Sequence, residues 1–174
     1  LNRNEILDGL NTKTIGKELY LFKEVMSTNT VAKFLSENDV NNGTVIISEK
    51  QSGAKGRLGK SWESPLGGIW LSLVVKPNVD HSKIPMITLA TGVAVVKTLE
   101  RIGIENAEIK WPNDVMINDK KVCGILTEAQ TSIEEGIIDY VVIGIGINVY
   151  KREFDESIKN IATSLEDEGA IISR

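Results

Sequence analysis

Short apolar runs and alternating apolar and polar positions recur along most of this 174-residue chain. Together with many β-branched and aromatic residues, this pattern is typical of β-strands. It predicts strands at residues 18–25, 43–48, 69–75, 107–111, 114–118, 121–130 and 138–149. The last segment is a long apolar run, which indicates a strand at the centre of the sheet.

Helical spacing of apolar residues is present in fewer places. A short helix is predicted at residues 3–10, and a second begins near residues 27–30, where Ser, Thr and Asn are good N-cap residues. The longest helix is predicted at residues 82–102, with Pro85 in its first turn. Its expected apolar stripe consists of Leu89, Val93, Val96, Leu99 and Ile102. The polar tail, residues 151–174, is predicted to be weakly helical.

The order of these elements favours one α+β domain over residues 1–174. The turn sequence Asn-Asp-Lys at residues 118–120 separates two strand patterns and predicts a hairpin. Because hairpins and helices are mixed along the chain, we expect a mixed, largely antiparallel sheet with helices packed on one face.

Composition narrows the class of protein. The chain has no apolar run of about 18 residues, so no membrane span is expected, and its first ten residues do not resemble a signal peptide. The single cysteine, Cys123, cannot form an internal disulfide, which favours the cytoplasm. A net charge of −4 argues against broad binding of nucleic acids.

Residues 50–62, which we call the cationic loop, contrast with this acidic composition. The loop has no acidic residue, and its cations and glycines are Lys50, Gly53, Lys55, Gly56, Arg57, Gly59 and Lys60. Glycines let backbone amides approach a ligand, and cations suit phosphate or carboxylate groups. A solvated hairpin loop is the alternative that composition alone leaves open. The spacing matches neither a P-loop nor a dinucleotide-binding fingerprint.

Three later segments carry further candidate residues. "KWPNDV" (110–115) places polar residues at the start of a strand, "KKVCGIL" (120–126) sets Lys121 at the mouth of an apolar strand, and "GIGIN" (144–148) has two glycines inside a strand. Interior glycines weaken a strand unless something approaches its backbone closely. Each segment also has a structural explanation when taken singly. The first fits a turn, the second a solvated hairpin lysine, and the third a bulge or tight packing.

In order, the segments "STN" (27–29), "QSGAKGRLGKSW" (51–62), "KWPND" (110–114), "KVCGIL" (121–126) and "GIGIN" (144–148) resemble the motifs of biotin protein ligases. One departure is Ala54-Lys55, where that family has Gly-Arg; lysine keeps the charge but loses the bidentate fork. The other is the length of the chain. Too few residues follow residue 148 for the SH3-like domain usual in that family, which is therefore expected to be absent or truncated, and no N-terminal winged-helix repressor domain is expected.

The resemblance implies a fold like that of class II aminoacyl-tRNA synthetases and biotin synthetases. It also implies the reaction of biotin with ATP and Mg²⁺ to give biotinyl-5′-AMP, followed by transfer to a lysine of a biotin carboxyl carrier domain. We expect a homodimer that binds neither DNA nor a membrane. We expect no metal-binding residues.

The resemblance also assigns roles to residues. The catalytic residues would be Lys121, Arg57 and Asp114, with Asp114 a candidate general base. Biotin would contact Ser27, Thr28, Asn29, Gln51, Lys55, Gly56, Arg57, Lys121, Gly144 and Gly146. The nucleotide would contact Trp62, Asn113, Asp114, Lys121 and Asn148, with the Trp62 indole stacked on adenine.

The chemistry of these residue types agrees with that reaction. Biotin carboxylate and ATP repel each other, and Lys55, Arg57 and Lys121 can screen that repulsion. The cationic loop is predicted to be mobile without ligand and ordered over biotinyl-AMP, which it would shield from water.

Two other classes of protein compete with this interpretation. A lipoate–protein ligase or octanoyltransferase would need an arginine- and glycine-rich motif ending in histidine, which is absent; the one histidine, His81, lies before a helix. A non-enzymatic biotin or nucleotide-binding regulator would not need a lysine on the phosphate side. One cysteine and one histidine also give no zinc site.

Overall fold

The computed structural model describes residues 1–131 and 138–172. The helices are α1 (Arg3–Asp8), α2 (Thr28–Glu37) and α3 (Ile84–Arg101). The strands are β1 (Leu19–Phe22), β2 (Val45–Ser48), β3 (Ile69–Val75), β4 (Ala107–Lys110), β5 (Asp114–Ile117), β6 (Lys120–Thr131) and β7 (Ile138–Ile147). Short 3₁₀ turns are formed by Arg57–Gly59 and His81–Lys83.

The strands form a seven-stranded sheet in the order β1-β2-β3-β7-β6-β5-β4. β1 and β2 pair in parallel, joined by α2 as the crossover helix, and the other neighbours pair antiparallel. β7 lies in the middle of the order. The α+β class, the mixed and largely antiparallel sheet and the central position of β7 are therefore confirmed.

The two long helices lie on opposite faces of the sheet, which corrects the expectation of one covered face. On β6, Thr127 Oγ1 is 2.8 Å from Thr88 Oγ1 on α3, whereas the next residue, Glu128, pairs with Lys33 on α2. Successive side chains of a strand point to opposite faces. Hydrophobic periodicity identifies an amphipathic helix but does not say which face of a sheet it covers.

Each helix covers its own hydrophobic cluster. Val95 and Leu99 of α3 pack on the buried residues of β5, β6 and β7, among them Ile125 at 2% exposure. Ala32 of α2 packs in a second cluster with Ile46 of β2 and Val142 of β7. Complete burial of such side chains contributes about 1.5–3 kcal/mol each, so both faces of the central strands help to stabilise the sheet.

The predicted apolar stripe of α3 is partly wrong. Leu89, Val93 and Ile102 are exposed by 39–40%, while the buried positions are Gly92, Val95 and Leu99. A Cβ at Gly92 would lie 3.5 Å from Ile109 of β4, an ordinary contact distance, so this face of α3 is the one that packs on the sheet. Because α3 is apolar over much of its surface, the sequence could not show which stripe packs.

The stretch His81–Arg101 is long and apolar enough to cross a membrane, with a mean hydropathy of 1.2 over its best window. These criteria use length and composition alone, and the core helix of a sheet protein also meets them. Since α3 packs on β4, β5 and β6, the feature is weak support for a membrane span.

The β5–β6 connection confirms the predicted hairpin. Asn118 and Asp119 have φ of 49° and 63°, as the two central residues of a type I′ turn require.

The described part of the tail, residues 151–172, forms turns rather than the predicted weak helix. It is held to β6 by backbone bonds in which Lys121 N donates to Ile161 O and Thr163 N donates to Lys121 O.

Candidate active site

One pocket of about 770 Å³ lies where the start of α2, the cationic loop and strands β5, β6 and β7 meet. It is lined by every residue to which the sequence analysis gives a site role: Ser27, Thr28, Asn29, Gln51, Lys55, Gly56, Arg57, Trp62, Asn113, Asp114, Lys121, Gly144, Gly146 and Asn148. Residues from five separate motifs therefore come together, although their individual roles stay predictions.

Hydrogen bonds hold the start of α2 in place. Gln51 Oε1 accepts from Thr28 N at 2.8 Å and from Thr28 Oγ1 at 3.1 Å. Asn29 Nδ2 donates to Glu128 Oε2 at 2.8 Å, and Ser72 Oγ donates to Asn29 Oδ1 at 2.6 Å. The side chains of Thr28 and Asn29 are thus hydrogen-bonded to other groups of the protein. Ser27, at the N-cap, makes no side-chain capping bond.

The strand glycines make room for the protein's own side chains. A Cβ at Gly144 would lie 2.3 Å from Asn29 Oδ1, and one at Gly146 would lie 2.4 Å from Trp62 Nε1. On the neighbouring β6, a Cβ at Gly124 would lie 2.9 Å from the Trp62 ring. Any larger residue at these positions would have to push Asn29 or Trp62 away from the sheet.

Trp62 forms a wall of the pocket. Its ring meets Trp70 edge-on, with centroids 6.4 Å apart, and Lys121 Nζ lies 5.0 Å from the Trp62 ring centroid. The indole Nε1 is buried and has no hydrogen-bond partner among the described residues. A ligand that fills the pocket could accept this bond.

Opposite charges meet at the mouth of β5 and β6. Lys121 Nζ is 2.6 Å from Asp114 Oδ1, with 29% and 25% of the two side chains exposed. Next to Asp114, Asn113 Oδ1 accepts from Arg57 at 3.2 Å, and its amide donates to Ile125 O at 2.9 Å. The segment 110–114 therefore touches both the cationic loop and the strand-borne lysine.

Asn148 lines the pocket just after β7, and its backbone N donates to Val122 O beside Lys121. It is 4% exposed, and its Nδ2 donates to Thr163 O at 3.0 Å. Its Oδ1 is buried without a partner in the described part of the chain. One end of this amide is thus fixed by the tail.

The cationic loop has more regular structure than its glycines suggest. Gln51 bridges to Ser64, Lys55 bridges to Ser61, and Gly56 N donates to Lys60 O at 2.7 Å. The loop is therefore a small hairpin with the 3₁₀ turn Arg57–Gly59 at its tip. Its mobility without ligand stays a prediction.

Several pocket residues were not singled out from the sequence. Glu63 follows Trp62, and a stretch of the tail lines one wall of the pocket through Arg152, Asp155, Ser157, Ile158, Ile161 and Ala162. Outside the lining, Ser72 and Glu128 position Asn29. Hydrogen bonds from Ser157 hold the pKa of the Asp155 carboxyl below its usual range. None of these residues lies in a recognisable motif, so only the folded chain brings them to the site.

No group of three or more His, Cys, Asp or Glu side chains in residues 1–131 and 138–172 could hold a metal ion. The carboxylates of the pocket already have partners: Asp114 contacts Lys121, Glu63 contacts Arg152, and Asp155 contacts Ser157. The donor set is therefore not a protein cage for Mg²⁺.

A cationic hairpin over a pocket with both polar and apolar lining, on a mixed α+β sheet, defines a protein suited to binding a small anionic ligand. The chain belongs to the Biotin/lipoate A/B protein ligase family, whose model matches residues 21–148. The resemblance to biotin protein ligases is confirmed by the relatives.

Two curated relatives and one solved structure illustrate this. The bifunctional ligase/repressor BirA of Bacillus spizizenii is 42% identical over 168 residues, which cover 95% of this chain and 51% of that protein. The biotin–[acetyl-CoA-carboxylase] ligase of Mycobacterium tuberculosis is 31% identical, covering 88% of this chain and 56% of that protein. Biotin protein ligase from Aquifex aeolicus, in complex with biotin and ATP, is 35% identical with a TM-score of 0.71, covering 90% of this chain and 63% of that one. This chain thus spans about half the length of the curated relatives it matches.

Proposed function

We propose that this chain carries the catalytic machinery of a biotin–protein ligase: it activates biotin as biotinyl-5′-AMP and passes it to a lysine of a biotin carboxyl carrier domain. The observation that carries the proposal is the single pocket shared by all five motifs. The printed names of the relatives, and the biotin and ATP in the Aquifex aeolicus complex, support the choice of substrates.

In the first half-reaction, an oxygen of the biotin carboxylate attacks the α-phosphorus of ATP, and pyrophosphate leaves as the bond to the β-phosphate oxygen breaks. Two anions must approach each other for this to happen. Lys121, Arg57 and Lys55 line the pocket and can offset the repulsion and stabilise the charge on the phosphoryl oxygens. We assign Lys121 to bridge the carboxylate and the phosphate, a position in which it would exchange its contact with Asp114 for the ligand.

In the second half-reaction, the acceptor amine attacks the acyl carbon, the C–N bond forms, and AMP leaves. The amine must lose a proton. Asp114 is our candidate base because its carboxylate lies in the pocket and would lose its lysine partner once Lys121 contacts the ligand.

Mg²⁺ would add positive charge at the phosphates. The pocket carboxylates are engaged with Lys121, Arg152 and Ser157, so we propose that the ion is held chiefly by ATP itself.

The remaining parts of the proposal rest on the resemblance and on composition. The enzyme is proposed to act in the cytoplasm, which a single buried cysteine suits. It is proposed to be a homodimer, for which the edge strands β1 and β4 are the candidate contacts. A net charge of −4 supports the proposal that these residues do not bind DNA.

The decisive experiment measures pyrophosphate release from MgATP with biotin, lipoate or octanoate as the acid. Of the three acids, only biotin is expected to give pyrophosphate release. Release with lipoate or octanoate in preference to biotin would assign the chain to the other branch of its family. Binding of biotin without pyrophosphate release would favour a regulator over an enzyme.

Trypsin tests the predicted loop closure, because Lys55, Arg57 and Lys60 lie in the hairpin and are exposed. Cleavage there is expected to slow when biotinyl-AMP is added, since the closed loop would be shielded. Equal cleavage with and without the intermediate would contradict loop closure and leave the substrate assignment unaffected.

A further inference from the structure

Arg152, in the segment after β7, contacts Glu63, the residue that directly follows the cationic loop. Its Nη1 donates to Glu63 Oε2 at 2.8 Å, and its guanidinium carbon lies 4.3 Å from the centroid of the Phe154 ring. Of the Arg152 side chain, 18% is exposed. An arginine stacked on a ring and largely withdrawn from water is held more firmly than a surface ion pair.

This contact meets the chain directly beside Trp62. At the same place Trp62 N donates to Ala54 O at 3.0 Å, and Gln51 N donates to Ser64 O at 2.9 Å. Residues 61–64 therefore form a well-attached stem of the hairpin.

The tip of the hairpin, residues 55–60, is attached differently. Arg57 reaches Asn113 at 3.2 Å, and the bond is exposed to solvent. Water competes with such a bond, so it contributes little to holding the tip. The two ends of the hairpin are thus held with unequal strength.

We propose that Arg152 and Glu63 form a brace that keeps the Trp62 indole against Gly124 and Gly146 while the loop tip opens and closes. Arg152 is then a positioning residue, which acts through Glu63 on Trp62. Its consequence for ligation rests on the proposed function: the pocket wall would stay in place while ATP enters past the tip.

A direct contact between Arg152 and an anionic ligand is the competing explanation. Arg152 lines the pocket, and its Nε is buried without a partner among the described residues. The two explanations differ over Glu63. A brace needs both side chains, whereas a ligand-binding arginine would work without Glu63.

The brace can be tested without any ligase reaction, by acrylamide quenching of tryptophan fluorescence in a Trp111→Phe background. This removes the exposed tryptophan and leaves Trp62 together with Trp70, which is 1% exposed. Glu63→Gln and Arg152→Met are both expected to raise the quenching constant roughly twofold, because local opening of the stem exposes the indole. The matched control is Glu156→Gln, which removes an exposed ion pair with Lys159 in the same segment. Quenching constants equal to that of the control would overturn the proposal.

Charge reversal adds a second test. The double variant Glu63→Arg/Arg152→Glu is expected to return the quenching constant towards the parent value, as a pairwise interaction should. Failure of this rescue in a double variant that folds, as judged by circular dichroism, would count against a brace. If Arg152→Met does not fold, Arg152→Lys keeps the charge and takes its place, with an intermediate quenching constant expected.

Enzyme kinetics separate the two explanations. For a brace, Glu63→Gln and Arg152→Met should both raise the KM for ATP by roughly tenfold, with a smaller change in kcat. If Arg152→Met raised that KM and Glu63→Gln did not, Arg152 would be a ligand contact and the brace would be wrong. If no variant had activity, the quenching result would still decide on the brace and the proposed function alone would fail.

Discussion

At the scale of single residues, the pocket depends on side chains that must hold charge at a defined place. Lys121 is the clearest case, since it sits between Asp114 and the face of Trp62. A lysine held by a carboxylate and an indole is oriented before a ligand arrives, which limits the entropy lost on binding.

Lys121→Ala is expected to lower the rate of adenylate formation by about 10²–10³, because a preorganised cation is lost where charge develops. Biotin affinity should change little. Pyrophosphate release and isothermal titration measure the two effects. Lys120→Ala, which removes the exposed neighbouring lysine, is the matched control. Normal adenylation by Lys121→Ala would remove Lys121 from the mechanism.

Cys123 makes stability depend on alkaline pH. Burial raises the pKa of its thiol to about 12, whereas an exposed thiol in the unfolded chain titrates near about 8.5. Its contribution to the free energy of unfolding is fully present below about pH 8.5 and is lost as the pH rises towards 12, at up to about 1.4 kcal/mol per pH unit.

Urea unfolding of the wild type and of Cys123→Ala, from neutral pH upward, measures this contribution. Other groups titrate in the same range, so the difference between the two proteins is the informative quantity. Above about pH 8.5, the free energy of unfolding of the wild type should fall relative to that of Cys123→Ala. Parallel curves would show that the thiol ionises equally in both states.

At the scale of elements, the strands were predictable because their side chains alternate regularly. The predicted strand at residues 69–75 coincides with β3 (Ile69–Val75), and the hairpin turn follows from Asn118-Asp119. The helices were harder. Ser27-Thr28-Asn29 correctly marks the start of α2, but the buried stripe of α3 was misplaced because that helix has apolar residues on more than one side.

Gly144→Ala tests how closely α2 approaches β7. The new methyl group would lie 2.3 Å from Asn29 Oδ1, and Asn29 is tied to Ser72 and Glu128. Overpacking of this kind costs about 1–3 kcal/mol, which thermal or urea unfolding would detect. Gly9→Ala is the matched control, because its methyl group would meet nothing nearer than 3.5 Å. Equal stabilities of the two variants would contradict the close packing.

At the scale of the whole molecule, an acidic protein concentrates positive charge over one pocket. The net charge is −4, yet the cationic loop contributes Lys55, Arg57 and Lys60 to the pocket lining. Exposed charges such as these are screened strongly by salt, since the Debye length falls from about 10 Å at 0.1 M to about 3 Å at 1 M.

Added salt is therefore expected to weaken the binding of ATP more than the binding of biotin. ATP carries several negative charges and biotin carries one, so the KM for ATP should rise more steeply with NaCl concentration in the pyrophosphate-release assay. Sodium sulfate and NaCl at matched ionic strength would reveal any effect of a specific anion. An equal rise in both KM values would show that the loop does not distinguish the ligands by charge.

The sequence by itself determined the α+β class, most strands, and the motif residues that meet in the pocket, because alternation, turn chemistry and motif order are local properties of a chain. The sheet order, the placement of α2 and α3 on opposite faces, and the tail beside Lys121 were decided only by tertiary structure. The same is true of Glu63 and Arg152, which lie 89 positions apart. Contacts between distant segments depend on which packing buries the most surface with satisfied hydrogen bonds, and no local pattern records that outcome.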